Sequence, residues 1–181
     1  MKLYEIDKSI YRQRLNYVII GFIAILTVLS LGFGAALIAL FSESVTTINN
    51  NLIDGEQPNN FKYNLLGVVL ALLTCAITLH HLKTKTFFNE IYYVWQLKQL
   101  HNFIYRKLKS IKKAAFEKND AKAMLIMTFY YTSIKQVYLL DDNTLTMASV
   151  EKSHQQLNDH LSINNISINI EDFDKSMLAC Y

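Results

Sequence analysis

Two long uncharged apolar stretches constrain this chain more than any other feature. The first runs from Tyr17 to Phe41 and the second from Asn64 to Leu82, and neither contains Asp, Glu, Lys or Arg. An α-helix rises about 1.5 Å per residue, so about 20 apolar residues cross the hydrocarbon core of a bilayer. We therefore predict two transmembrane helices, at 17–41 and 63–82.

Each stretch also has an interpretation in which it does not span a membrane. The basic residues before the first stretch resemble the start of a secretory signal peptide, but the stretch is about twice as long as the apolar part of such a signal. The second stretch could be a buried helix of a soluble domain. A first span that carries the chain out of the cytoplasm favours a second span that brings it back.

The flanking charges predict the orientation of the two spans. Four cations precede the first span, and Lys83 and Lys85 follow the second, whereas the loop at 42–62 holds three carboxylates and one lysine. Cytoplasmic flanks of membrane helices carry an excess of Lys and Arg. We therefore expect a cytoplasmic juxtamembrane segment at 1–16, an external loop at 42–62, and both termini in the cytoplasm.

Small residues recur every four positions in both predicted spans. In the first span they are Gly32 and Ala36, and in the second they are Gly67, Ala71 and Cys75. Small side chains let helix backbones approach closely in lipid, where packing replaces the hydrophobic drive. These five residues are our candidates for helix packing in the membrane, either with the other span or with a second copy of the chain.

Residues 83–181 are predicted to form a cytosolic helical domain that begins with a long helix at 87–118. Apolar side chains repeat along this helix at intervals of three and four, which is typical of one face of an amphipathic helix. We expect this stripe to be partly covered by the next helix and partly offered to a protein partner or a second copy, as in a coiled coil. The candidate interaction stripe consists of Tyr93, Leu97, Leu100, Ile104, Leu108 and Ile111.

A second helix is predicted at 121–140, where Asn119 or Asp120 could cap its N terminus. The short turn between the two helices predicts an antiparallel helical hairpin. A third membrane span is the alternative, but Lys122 and Lys135 leave too short an apolar core between them.

The C-terminal part of the tail has weaker patterns. After residue 143 a helix is predicted with Val150, His154, Leu157 and Leu161 on one face. The last twenty residues remain open between a short strand, since isoleucines alternate there, and a frayed helix.

Charge is unevenly divided along the tail. Residues 83–118 hold nine Lys or Arg against two Glu, and residues 141–181 hold seven acidic residues against two Lys. The basic helix could attract anionic lipid headgroups, at ~1 kcal/mol per cation. It could instead bind the acidic end, or both could be solvated. The candidate headgroup contacts are Lys83, Lys85, Arg106, Lys107 and Lys109.

The sequence contains no motif for catalysis, for a cofactor or for a metal site. His80 and His81 are neighbours and project about 100° apart on a helix, so they cannot bind one metal ion together. Aromatic and basic residues alternate from Trp95 to Lys113, but helix packing explains them without nucleic acid. We expect no enzymatic activity, no cofactor and no nucleic acid partner, and we expect membrane lipids and an unknown protein or a second copy as partners.

Four segments resemble those of a known family. They are NYVIIGF and NLLGVVLA at the two spans, and EIYYVWQLKQLHNFIYRKLKSIKKAA and FYYTSIKQVYLLDDNTLT in the tail. From its N terminus to about Glu151, the chain is similar to a domain-of-unknown-function family of two-span inner-membrane proteins from Gram-negative bacteria. This resemblance implies a bacterial inner-membrane location and assigns no activity or site residue.

These patterns predict an all-α membrane protein, in which a two-helix transmembrane hairpin precedes a cytosolic helical hairpin and a short C-terminal helical segment. We expect an inner-membrane anchor or scaffold that acts through its cytosolic helices, by protein–protein interaction or self-association. The alternative is a small accessory subunit of a transport or envelope-stress membrane complex, which would contact that complex through the transmembrane hairpin.

Overall fold

The computed structural model describes residues 2–41 and 60–181, and this part of the chain contains helices and no strand. The predicted all-α class is confirmed. The α-helices are α1 (Lys8–Phe41), α2 (Phe61–Leu82), α3 (Asn89–Lys118), α4 (Ala121–Leu140) and α5 (Met147–Ile163). Short 3-10 helices cover Thr86–Phe88, Ile170–Asp172 and Lys175–Cys180. Most of the predicted external loop lies outside the described residues, and its last two residues belong to α2.

The chain divides into two compact units. The hairpin unit is Leu15–Phe88, and the bundle unit joins Met1–Arg14 to Asn89–Tyr181. Helix α1 therefore contributes its first turns to the bundle unit and the rest to the hairpin unit. The sequence predicts the segment at 1–16 and the domain at 83–181 as separate regions. In the structure, most of both regions belongs to the bundle unit.

Helices α1 and α2 are long and apolar enough to cross a membrane. Only 6 % of the most apolar window of α1 and 17 % of that of α2 is buried. A core helix of a soluble protein is buried on at least one broad face, because exposed apolar side chains lose the free energy of burial. Apolar side chains therefore remain exposed along most of both helices.

Helix α4 is the central helix of the bundle unit. It contacts both α3 and α5, and buried side chains occur on all of its sides. A helix that is apolar all round belongs either in a protein interior or in a membrane. Its neighbours α3 and α5 cover α4, so it is a core helix and not a third span.

The turn between α3 and α4 depends on two polar residues with separate roles. The carboxylate of Asp120 accepts hydrogen bonds from the backbone N–H groups of Lys122 at 2.9 Å and Ala123 at 3.4 Å. Asp120 is therefore the N-cap of α4, and α4 has the predicted bounds. Asn119 adopts a φ of 50°, in the left-handed region that Asn tolerates better than most residues.

The C-terminal residues pack on the bundle without a strand. Of the four residues predicted to share one face of α5, Leu157 is buried and the other three are half-buried. Beyond α5, the ring of Phe173 stacks on that of Phe129 in α4, with 3.9 Å between the ring centroids. The alternation of isoleucines therefore does not produce a strand, because the chain turns in two short 3-10 helices that dock on α4.

Candidate functional site

In the hairpin unit, the backbone of Gly34 in α1 lies directly against Gly67 in α2. A Cβ atom added to Gly67 would lie 2.6 Å from the backbone nitrogen of Gly34 and 3.1 Å from the carbonyl oxygen of Ser30. Only glycine fits there without a backbone shift. Ala71 and Cys75 continue the same buried face of α2 toward the other end of the helix.

In α1 the glycine that packs on α2 is Gly34, which is not one of the predicted residues Gly32 and Ala36. Gly32 and Ala36 are exposed, and a Cβ atom on Gly32 would meet no atom within 4 Å. Each lies two residues from Gly34, which is about 200° around the helix. Gly32 and Ala36 therefore do not pack against α2, and their packing with a second copy of the chain stays a prediction. Ser30 and Gly34 form another small pair with a spacing of four, and this signal was present in the sequence.

An apolar cavity of about 320 Å³ lies between α1 and α2 within the hairpin unit. Its lining includes Tyr17, Phe22, Cys75 and Phe88, and almost all of the lining is apolar. Such a cavity can accept an apolar group, and the hydroxyl-bearing side chains of its lining are Tyr17 and Thr78.

The predicted interaction stripe of α3 is the core of the bundle unit. Five of its six residues are buried, and Leu108 is half-buried. Helix α4 and the N-terminal segment contact this stripe and leave little of it exposed, and its use by a partner stays a prediction. The covering N-terminal residues lie about ninety positions away in sequence, so the periodicity of α3 could not reveal them.

The N-terminal segment, residues 4–14, closes one side of the bundle unit. Tyr11 is only 2 % exposed, and its hydroxyl donates to the carboxylate of Asp141 at 3.2 Å. The backbone N–H of Tyr4 donates to the hydroxyl of Tyr93 at 3.0 Å, and the side chain of Gln136 donates to the carbonyl of Tyr4. Residues that come before the first predicted span are therefore part of the packed tail.

Ion pairs reinforce this contact at the end of α4. Lys8 and Arg12 both pair with Asp142, and the ammonium of Lys98 lies 2.6 Å from the carboxylate of Asp141. The hydrogen bond from Lys8 holds the pKa of Asp142 below its usual range. Because water screens exposed ion pairs, these contacts add little to stability compared with the buried ring of Tyr11.

A buried polar pair joins α3 to α4. The Nε2 atom of His101 lies 2.8 Å from the Oγ atom of Ser133, whose hydroxyl donates to the carbonyl of Tyr130 at 3.1 Å. Since the one hydroxyl proton is used on Tyr130, the Nε2–H of His101 donates to Ser133. Burial, aided by the charge of Lys98, lowers the pKa of His101 to about 4. In the described part of the chain no carboxylate contacts the pair, so the arrangement fits a structural contact.

The exposed side of α3 carries a second stripe, which we call the outer face. Trp95 is 53 % exposed and Phe103 is 46 % exposed. The rings of Tyr92 and Trp95 stack at 5.7 Å, and the ammonium of Lys175 lies 4.6 Å from the centre of the Phe103 ring. The sequence pattern from Trp95 to Lys113 shows that aromatic residues are present but does not show that Trp95 and Phe103 share one exposed face. The outer face consists of Tyr92, Trp95, Gln99, Phe103, Arg106, Lys109 and Lys113.

The five predicted headgroup contacts occupy different places. Lys83 and Lys85 belong to the hairpin unit, whereas Arg106 and Lys109 are exposed on α3. Lys107 instead donates to the carbonyl of Leu178 at 2.7 Å, so the C-terminal segment uses it. Among the described residues, Lys98 of α3 forms an ion pair with Asp141 of the acidic segment 141–181. Arg106 and Lys109 form no ion pair with that segment in the described part of the chain.

The histidines and cysteines are dispersed. His80 and His81 are exposed at the end of α2, Cys75 is buried in the hairpin unit, and Cys180 is exposed near the C terminus. No group of three or more His, Cys, Asp or Glu residues in the described ranges is arranged to hold a metal ion.

The chain matches one family model over nearly its whole length. The match covers residues 1–178, so it extends beyond Glu151, where the resemblance in the sequence ended. No curated protein and no solved structure matches the chain. The chain therefore belongs to DUF3087, a family of proteins of unknown function.

Proposed function

We propose that this chain is a two-span protein of the bacterial inner membrane with both termini in the cytoplasm, acting as an anchor or scaffold through its cytosolic helices. The observation that carries the proposal is the composition of the bundle unit, which joins residues from before the first uncharged apolar stretch, at 17–41, to residues from after the second, at 64–82. Both apolar stretches lie between these two parts of the sequence.

The bundle unit supports the topology because its two parts have to meet on one side of a membrane. Tyr11 is buried against the tail, and Lys8, Arg12 and Arg14 pair with acidic residues of the tail. Two spans return the chain to the side where it began, which makes these contacts possible. The basic flanks favour the cytoplasm as that side.

The scaffold role is supported by apolar side chains that the bundle unit leaves exposed at the corner between α4 and α5. Leu139 is exposed in the last turn of α4, and Leu145 is 95 % exposed in the connection to α5. Because most of the α3 stripe is buried in the core of the bundle unit, we expect a protein partner to bind another surface. We infer that this corner receives the partner or a second copy of the chain.

Cysteine labelling tests the topology. In a Cys75→Ala background, Cys180 is the remaining thiol, and it is exposed. A membrane-impermeant maleimide should label Cys180 in inverted vesicles and not in right-side-out vesicles. With Cys180→Ser and Ser44→Cys added, the accessibility should reverse. Labelling of Cys180 in right-side-out vesicles would overturn the proposed orientation.

Cross-linking in native membranes tests the scaffold role. The double variant Leu139→Ser/Leu145→Ser should lose cross-linked and co-purifying species that the native chain retains. Tyr105→Ser is a matched control, because Tyr105 is exposed on α3 and is not part of the outer face. If the native chain gives no cross-linked species, or if both variants keep them equally, the corner is not a partner surface.

The alternative proposal is a small accessory subunit of a transport or envelope-stress membrane complex. It is supported by Gly32 and Ala36, which are exposed and leave a small-residue surface on α1. Small residues of this kind let a helix of another subunit approach closely. Gly32→Leu/Ala36→Leu should then abolish assembly, whereas the substitutions at Leu139 and Leu145 should leave it intact.

A further inference from the structure

The outer face of α3 combines exposed aromatic rings with cations. Trp95 and Phe103 lie on a long uninterrupted helix and expose about half of their surface. Tyr, Trp and similar aromatic side chains are enriched at the level of lipid headgroups, where one end of the ring is apolar and the other is wet. An amphipathic helix that lies on a membrane carries such rings beside Lys and Arg.

The cations of the outer face are not neutralised by the acidic part of the chain. Between Tyr92 and Lys113 the helix α3 contains no Asp or Glu. Glu90 pairs with Arg14, while Asp141 and Asp142 pair with Lys98, Lys8 and Arg12. Among the described residues, no carboxylate of the segment 141–181 forms an ion pair with Arg106, Lys109 or Lys113. Within α3, Lys113 lies 4.0 Å from the carboxylate of Glu117, and both side chains are exposed. The positive charge of Arg106 and Lys109 is therefore available to an anionic surface, and Lys113 can exchange Glu117 for a lipid phosphate.

We propose that the outer face of α3 binds the anionic surface of the membrane in which the chain is anchored. This inference rests on the proposed membrane location. Arg106, Lys109 and Lys113 bind the phosphate groups of anionic lipids, and Trp95 and Phe103 enter the headgroup region. Only six residues separate the end of α2 from the start of α3, so little chain lies between the second span and these aromatics.

Charge favours lipid over a second copy of the chain on this face. Two outer faces brought together would place like charges against each other, which opposes association. A membrane with anionic lipids supplies the opposite charge, and its negative surface potential attracts basic segments within about 8 Å at physiological salt.

The single tryptophan of the chain makes the contact measurable. Trp95 is that tryptophan, so its emission reports on the outer face alone. The full chain is reconstituted in phosphatidylcholine vesicles with and without phosphatidylglycerol. With phosphatidylglycerol, we expect a blue shift of the emission, quenching by lipids brominated near the headgroup, and protection from acrylamide. In phosphatidylcholine alone, Trp95 should remain accessible to acrylamide.

Matched charge variants identify the residues responsible. The triple variant Arg106→Gln/Lys109→Gln/Lys113→Gln should weaken the equilibrium for binding of the outer face to the vesicle surface by about five-fold per removed charge, and so lose the blue shift at phosphatidylglycerol contents where the native chain shows it. The control is Lys112→Gln/Lys118→Gln/Lys122→Gln, which removes three exposed cations that are not part of the outer face. The control should behave like the native chain.

Three results would overturn the inference. Trp95 could stay accessible to acrylamide in phosphatidylglycerol vesicles, or the two triple variants could lose the blue shift equally. A blue shift in phosphatidylcholine alone that grows with protein concentration would indicate a second copy on this face. Because Cys180 labelling reports the topology independently, a chain with the proposed topology and an accessible Trp95 would refute the lipid contact alone.

Discussion

His101 of α3 donates a hydrogen bond to Ser133 of α4, with 2.8 Å between Nε2 and Oγ, and both side chains are buried. The ring of His101 also meets that of Tyr130 edge to face, with 5.6 Å between the ring centres. If one helix slid along the other, the buried donor and acceptor would both lose their partners, which costs free energy. Such a pair therefore disfavours other alignments of the two helices. The pair therefore specifies how α3 and α4 pack.

Removing the hydroxyl should destabilise the bundle unit. In Ser133→Ala, the buried Nε2–H of His101 loses its acceptor, at a cost of about 1–3 kcal/mol in the free energy of unfolding. Urea denaturation followed by Trp95 emission measures this change. Ser149→Ala, which removes an exposed hydroxyl bonded to a local carbonyl, is the matched control and should change stability little. Equal stability of the two variants would contradict the role of the pair.

The stability of the bundle unit should fall in mild acid. Burial keeps His101 neutral in the folded state and lowers its pKa from 6.5 to about 4. The unfolded chain therefore binds a proton below about pH 6.5 that the folded chain does not, and stability decreases as pH falls from 6.5 toward 4. The loss should reach about 3 kcal/mol near pH 4.

The same titration in His101→Gln isolates this effect. Glutamine can still donate to Ser133 but does not titrate, so the decrease between pH 6.5 and 4 should become smaller. His154, whose pKa is also lowered by burial, acts in the same direction and remains in both proteins. Identical pH profiles for the native chain and His101→Gln would show that His101 is not the titrating group.

A methyl group at Gly67 should loosen the hairpin unit. Its Cβ atom would clash with the backbone of Gly34, and overpacking of this kind costs about 1–3 kcal/mol. In a Cys180→Ser background, the rate at which a permeant thiol reagent labels the buried Cys75 measures opening of the hairpin. Gly67→Ala should speed labelling by about ten-fold for each 1.4 kcal/mol lost.

Gly32→Ala is the control for that experiment. A Cβ atom at Gly32 meets nothing within 4 Å, so labelling of Cys75 should stay at the native rate. If Gly32→Ala speeds labelling and Gly67→Ala does not, α1 would pack on α2 through the face that the sequence spacing suggested.

Loss of the Tyr11 ring should weaken the attachment of the N-terminal segment to the bundle unit. Tyr11→Ala removes a buried ring and should cost about 3–5 kcal/mol, as large aromatic truncations do. Tyr11→Phe keeps the ring and loses only the hydrogen bond to Asp141, so it should cost about 0.5–1.5 kcal/mol. Limited proteolysis of the N terminus and urea denaturation measure both. If Tyr11→Ala resists proteolysis as well as the native chain does, the N-terminal segment is not held in the bundle unit by Tyr11.

The sequence by itself determined the features that depend on short stretches of chain. A helix long enough to cross a bilayer needs only an unbroken run of apolar residues, so both apolar helices were predictable. The start of α4 was predictable as well, since Asp120 caps it through bonds to residues two and three positions away. Periodicity also identified the buried face of α3, because the same side chains recur on one side of any helix.

Only the tertiary structure decided what covers each face. The α3 stripe could have served a partner, but α4 covers most of it, and the ring of Tyr4 packs edge to face on that of Tyr93. Small pairs occur on two sides of α1, and only the backbone path of α2 selects Gly34 over Gly32 and Ala36. These contacts join residues far apart in the chain, and their free energy depends on close packing in three dimensions, which spacing along the sequence does not encode.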